Sequence, residues 1–188
     1  MIKLSILIAT TSARSEKIKP LLAELQRQIF DRNRDNVVEL IINANESDSI
    51  GKKRNDLLQM AKGQMVVFID SDDMISRSYV TKILVIIDCC PNVDCIGING
   101  IITTNGQNKR QWFISKDYGS WYEWDGVYYR TPNHISPIRR ELALIAGFPE
   151  TSFGEDAEYS RRVLHLLKNE EKITEPMYFY NYRDDEHK

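Results

Sequence analysis

Three times in its first 90 residues the chain runs a β-rich apolar segment into a helical repeat, and that alternation leaves few folds open. Residues 3–9 and 37–42 are short β-rich runs, and 65–69 is apolar throughout, as a strand covered on both faces must be. Ile18, Leu21, Leu22, Leu25 and Ile29 recur at helical spacing, with Ser15 as the expected cap and Pro20 in the first turn, where its lacking N–H does no harm. The spacing predicts a short helix around 54–61 and another over 79–87. Such βα units in series predict an α/β domain with a mixed, mainly parallel, Rossmann-like central sheet flanked by helices. Ligands of such sheets sit beyond the carboxyl ends of the strands. Here those ends are Thr10 and Thr11, Asn43, and Asp70.

The second half changes character. Residues 95–104 and 110–115 flank Asn105-Gly106, a dipeptide that supplies the positive φ angles of a type I′ turn, so they predict a hairpin. Trp121, Tyr122, Trp124, Tyr128 and Tyr129 follow, and their rings serve either core packing or the stacking of a sugar face or nucleobase. Helices are expected over 139–146, stopped by Gly147 and Pro149, and over 156–167. Residues 173–182 read as a closing strand and 184–188 as a frayed end. No repeat or linker divides the sequence, so residues 1–188 are expected to form one domain.

Charge narrows the function. Lys and Arg number 25 against 27 Asp and Glu, a net charge of -2, which argues against a nucleic-acid coat or polybasic membrane binder. No run approaches the roughly 20 apolar residues of a membrane span, and the first residues show no signal-peptide cleavage pattern. Cys89, Cys90 and Cys95 have no ligand-like His beside them and read as reduced thiols of a cytoplasmic protein.

The apolar run 65–69 ends in Asp70-Ser71-Asp72-Asp73. Carboxylates that close repel one another unless a cation lies between them, and oxygen ligands of this kind suit Mg²⁺ or Mn²⁺. An acidic turn that merely caps the next helix has the same composition. Upstream, Lys52, Lys53 and Arg54 crowd a helix start, where cations oppose the helix dipole but an anionic ligand is welcome. A solvated charge run is the plain alternative.

These residues resemble a known family. Gly51-Lys52-Lys53-Arg54-Asn55, then Ala61-Lys62-Gly63, then Phe68-Ile69-Asp70-Ser71-Asp72-Asp73 look like the nucleotide-sugar half of family 2-like glycosyltransferases of the GT-A fold. Pro137-Ile138-Arg139-Arg140-Glu141, Gly147-Phe148-Pro149 and Gly154-Glu155-Asp156 resemble that family's acceptor-side segment, which ends in a Glu-Asp pair. The resemblance extends from about Leu4 to about Leu167. It implies a nucleotide-sugar-binding half over 1–90 and an acceptor-side half over 91–182.

It also implies roles. Asp70 and Asp72 would form a DxD motif, with Asp72 the main ligand of Mn²⁺ or Mg²⁺ and Asp70 on the ribose or the metal. Thr10, Thr11 and Arg14 would border the base, Asn43 would stand at the end of the second strand, and Lys53 and Arg54 would face the nucleotide. Asp156, beside Glu155, would be the base of an inverting transfer from a nucleoside-diphosphate sugar, a UDP-sugar first among donors, to an acceptor hydroxyl. The acceptor is open between glycan, protein and modified nucleobase. His134 could complete the metal shell or reach the diphosphate, and serves equally well as a structural histidine. Asn43 departs from the acidic residue usual at its position, which unsettles uridine preference, and no Gln-x-x-Arg-Trp segment follows Asp156, unlike a processive synthase.

Other classes remain on this reading. A catalytically silent nucleotide- or glycan-binding module would keep the fold without the turnover. A haloacid-dehalogenase-type phosphohydrolase also places Asp-x-Asp after an apolar strand, but it needs a downstream Lys and a further acidic pair after another apolar strand, and the only later Asp-Asp here is Asp184-Asp185. A nucleotidyltransferase expects a Gly-rich loop after the first strand, where this chain has Ala9-Thr10-Thr11-Ser12-Ala13.

Overall fold

The computed structural model describes residues 1–182; the frayed end expected over 184–188 lies outside the described residues. The first half contains β1 (Leu4–Ala9), α1 (Lys19–Ile29), β2 (Val38–Asn43), α2 (Ile50–Met60), β3 (Met65–Phe68), a short β4 (Met74–Ile75) and α3 (Tyr79–Cys89). Leu4 pairs in parallel with Val38 on one side and Met65 on the other, so β1 is central and all six of its residues are buried. Successive strand residues face opposite sides of a sheet. Accordingly Ile6, Ile8 and Val67 pack with Leu21 and Leu25 of α1 and Ile83 of α3, while Leu7 and Phe68 pack with Leu57 and Leu58 of α2.

The second half contains β5 (Cys95–Thr104), β6 (Gln107–Ile114), β7 (Tyr122–Trp124), β8 (Val127–Arg130), β9 (Ile138–Arg139), α4 (Arg140–Ala146), α5 (Glu155–Leu164) and β10 (Glu170–Tyr182). The strand order β2-β1-β3-β9-β5-β6-β8-β7 makes one sheet of both halves, with the antiparallel β9 as the joint. β10 lies parallel to β5 and also pairs with β4, which brings β10 back to the segment after β3. The expected hairpin is present, with φ of 50° at Asn105 and 75° at Gly106. A second one, β7–β8, turns on Asp125-Gly126 with φ of 49° and 75°, inside the stretch read only as aromatic.

Several boundaries differ from expectation, three of them in helices near or leading into the strand ends. Ser15 does not cap α1: its N–H closes a single 3-10 turn onto Ser12, and the helix begins at Lys19 with Ile18 at the cap position. The helix expected near 54 begins at Ile50, because the Ser49 hydroxyl accepts the Lys52 N–H at 3.2 Å. The last helix ends at Leu164, three residues early. Among the described residues no helix is long and apolar enough to cross a membrane.

Candidate active site

The carboxyl ends of β2, β1 and β3 are held in step by backbone bonds that continue the strand pairing. Thr10 N–H donates to the Asn43 carbonyl at 2.9 Å and Ile69 N–H to the Leu7 carbonyl at 3.1 Å. The early start of α2 puts Lys53 and Arg54 in its first turns, facing these ends, and both are buried. Gly51 makes this approach possible, since a Cβ there would overlap the Pro149 carbonyl; its N–H donates to Thr151 at 3.0 Å. The start of α2 is thereby fixed against the loop leading into α5.

Lys53 donates through Nζ to the Thr10 carbonyl at 2.8 Å. Arg54 is the centre of the site. Its Nη1 donates to Glu155 Oε1 at 2.6 Å and its Nη2 to Asp70 Oδ1 at 3.1 Å, while the guanidinium lies 5.5 Å from the Phe148 ring and 5.8 Å from Phe68. One buried cation therefore ties the strand-end carboxylate to the first residue of α5, in the charge-assisted geometry that makes such bonds strong.

The acidic loop is not symmetrical. Asp70 carries Arg54 on one oxygen and has His134 Nε2 at 3.1 Å from the other. Burial pushes its pKa up, but the His134 and Arg54 charges outweigh burial and hold it well below the usual carboxylate range. Asp72 is partly exposed and accepts from Arg14 Nη1 at 3.0 Å. Asp73 is buried; burial first, then the Asp70 charge, pushes it up to about 9. Tyr178 of β10 organises this loop: its hydroxyl donates to Asp73 Oδ2 at 2.7 Å and accepts the Asp70 N–H at 3.0 Å.

Two clefts meet at Asp70. The larger, about 470 Å³, is polar and lined by Thr10, Thr11, Arg14, Lys53, Arg54 and Asp72, with Glu155 also in its wall. The smaller, about 300 Å³, is walled by aromatic rings including Trp112, Trp121 and Tyr128, with His134 and Asp156 among its polar groups. Adjacent helix residues point about 100° apart at 3.6 residues per turn. Glu155 therefore faces the first cleft and its neighbour Asp156 the second. Asp156 accepts the Ala157 N–H at 2.8 Å.

Nearly all the candidate residues thus converge. Asn43 does not: its side-chain oxygen accepts the Asn45 N–H at 3.0 Å, and neither cleft includes it. Glu46 and Asp48 of the same loop line the polar cleft instead, with Glu46 holding the Ser12 N–H. Arg139 stands at the opposite end of β3, paired with Met65, and its guanidinium is taken by Asp94 and the Val93 carbonyl. The aromatic stretch divides: Trp121 and Tyr128 line the second cleft, whereas Tyr122 stacks on Tyr129 at 4.8 Å outside it. Sequence reasoning did not single out Arg130 or Tyr178 for the site. Arg130 carried no motif, and Tyr178 contacts residues more than 100 positions away.

Among the described residues no three His, Cys, Asp or Glu side chains gather as a closed metal set. The hard oxygen donors of Asp70 and Asp72 nevertheless suit Mg²⁺ or Mn²⁺, ions that keep open positions for substrate phosphate oxygens.

A parallel sheet whose carboxyl edge carries Asp-x-Asp, continued by a mixed second half and a helix opening on Glu-Asp, is the architecture of GT-A glycosyltransferases. The family model described as Glycosyl transferase family 2 matches residues 17–145, and the chain belongs to that family. It is similar in fold to residues 1–349 of S. aureus TarS in complex with UDP-GlcNAc, with TM-score 0.70, 18% identity, and coverage of 97% of this chain and 59% of that one. Against the UDP complex of the same protein the TM-score is 0.67 at 19% identity, covering 96% and 60%. The chain thus spans about three-fifths of the length of those TarS chains. Comparison with curated protein sequences gives no match.

Proposed function

We propose that this domain transfers a glycosyl group from a nucleoside-diphosphate sugar to an acceptor hydroxyl, with inversion at the anomeric carbon, adding one sugar per encounter rather than polymerising. The observation that carries this reading is the junction of two clefts at Asp70, with Glu155 on one side and Asp156 on the other. Nucleotide and diphosphate belong in the polar cleft, where Arg14, Lys53 and Arg54 bring positive charge to bear. Thr10 and Thr11 border the nucleoside. The TarS structures hold UDP and UDP-GlcNAc, which supports a uridine donor here.

The reaction has two charges to manage. The departing diphosphate gains negative charge, and the Lys53 and Arg54 cations lower its energy as it develops. Asp70 and Asp72 are the residues that would hold Mg²⁺ or Mn²⁺, an ion that supplies further positive charge to phosphate oxygens. On the acceptor side Asp156 takes the hydroxyl proton as that oxygen attacks the anomeric carbon and the bond to the diphosphate breaks. Glu155 acts differently: buried against Arg54, it positions the cation and takes no proton from the acceptor. His134, its Nε2 against Asp70, serves to orient that carboxylate.

The test is donor turnover. Purified protein incubated with UDP-GlcNAc and related nucleotide sugars, with and without Mn²⁺, should release free nucleoside diphosphate slowly in the absence of acceptor. Release of inorganic phosphate from simple monoesters, with no nucleotide-sugar cleavage, would instead favour a phosphohydrolase.

A further inference from the structure

In the polar cleft Arg14 pairs with Asp72, Arg54 pairs with Asp70 and Glu155, and Lys53 donates to the Thr10 carbonyl. The aromatic cleft has the carboxylates of Asp70, Asp73 and Asp156 in its lining and, besides them, one arginine. Arg130, the last residue of β8, lines it, and among the described residues no carboxylate lies in ion-pair contact with it. Its Nη1 donates to the Tyr129 carbonyl at 3.1 Å and the Tyr122 carbonyl at 3.3 Å. Its guanidinium lies 5.0 Å from the Trp121 ring and 5.1 Å from Tyr128. Two carbonyls and two rings thus fix the side chain before any ligand arrives, and a fork held in that way suits a carboxylate or phosphate.

The other charged groups around the cleft do not occupy this fork. Asp70 is engaged by Arg54 and His134, Asp73 by Tyr178, and Glu123 by Arg110. Asp156 is close enough for its charge to act on Arg130, yet it makes no ion pair with it. The cleft therefore holds a carboxylate suited to receive a proton and, apart from it, a preset cation.

We propose that Arg130 selects the acceptor: the aromatic cleft takes a sugar that carries an anionic group, phosphate ester or carboxylate, beside the hydroxyl that is glycosylated. This rests on the assignment of the aromatic cleft to the acceptor. A matched trio of probes tests it: methyl glucoside, the methyl glycoside of glucuronic acid, and methyl glucoside 6-phosphate, titrated against the UDP-loaded protein by calorimetry or ligand-observed NMR. One or both anionic probes should bind at least about tenfold more tightly than the neutral one, the worth of a charge-assisted bond. The probe that binds better tells phosphate from carboxylate.

Arg130→Gln should bring the three affinities together, and Arg130→Lys should restore part of the preference. The second variant keeps the test decisive if the first unfolds. Equal binding of all three probes, no binding of any to protein that binds UDP, or a preference unchanged in Arg130→Gln overturns the proposal. A wild-type protein that binds no UDP overturns the donor reading and this inference with it.

Discussion

Arg54 Nη1 lies 2.6 Å from Glu155 Oε1, and both side chains are almost entirely buried. The pair joins α2 to α5 across 101 positions of sequence, and through Asp70 it reaches the end of β3. Removing one partner of a buried pair leaves the other charge unsolvated, which costs about 3–5 kcal/mol. Arg54→Met should therefore destabilise the domain by about that much in urea unfolding, since it strands Glu155 and frees Asp70. Glu155→Gln, which keeps a hydrogen-bond acceptor beside Arg54, should cost less. Equal losses would mean that Asp70 gains nothing from Arg54.

Asp72 and Asp156 face different clefts, so their variants should separate binding from turnover. Asp72→Ala should abolish the Mn²⁺-dependent part of nucleotide-sugar binding, read by calorimetry with and without the ion. Asp156→Asn should leave donor affinity intact and lower transfer by roughly 10²–10⁴-fold, the usual worth of general-base catalysis. Full activity in Asp156→Asn would place the base elsewhere.

Gly51 packs where no side chain fits. Gly51→Ala sets a methyl against the Pro149 carbonyl, and overpacking of this kind costs about 1–3 kcal/mol. The affected contact positions both Lys53 and the loop before Glu155, so weaker donor binding should accompany the lower unfolding midpoint.

Asp94 gives the stability a pH dependence remote from the clefts. Burial raises its pKa, but the N–H groups of Asn169 and Lys168, each at 2.9 Å, and the Arg139 guanidinium outweigh burial and lower it. A carboxylate depressed in the folded state adds stability above its unfolded pKa of about 3.9, and that stability fades as pH falls through the folded value. Denaturation midpoints of the wild type should drop over that acidic window. Asp94→Asn should be less stable at neutral pH and flatter below pH 4.

The legible part of this molecule is the part written locally. Strand runs such as 65–69, the Asn105-Gly106 turn and the carboxylates of Asp70 and Asp72 can be read from a few neighbouring residues. Asp125-Gly126 carried the same signal as Asn105-Gly106 and was masked by the aromatic residues around it. The boundary of α2 was hidden because Ser49 outweighed the unfavourable cations that follow it. Arg139 belongs to one of the segments that carry the family resemblance, yet strand pairing with Met65 places it at the end of the sheet opposite the clefts. No local pattern could reveal that Asp94 would meet it there.

Tyr178 gives the acidic loop its shape from β10, the last strand described. Contacts spanning more than a hundred residues form late, because a long loop must close before they repay the lost entropy. A chain emerging from the ribosome can therefore build its three-stranded core while Asp70 and Asp73 still lack the phenol that anchors them. The acidic loop gains its anchor only once the chain has been made through β10.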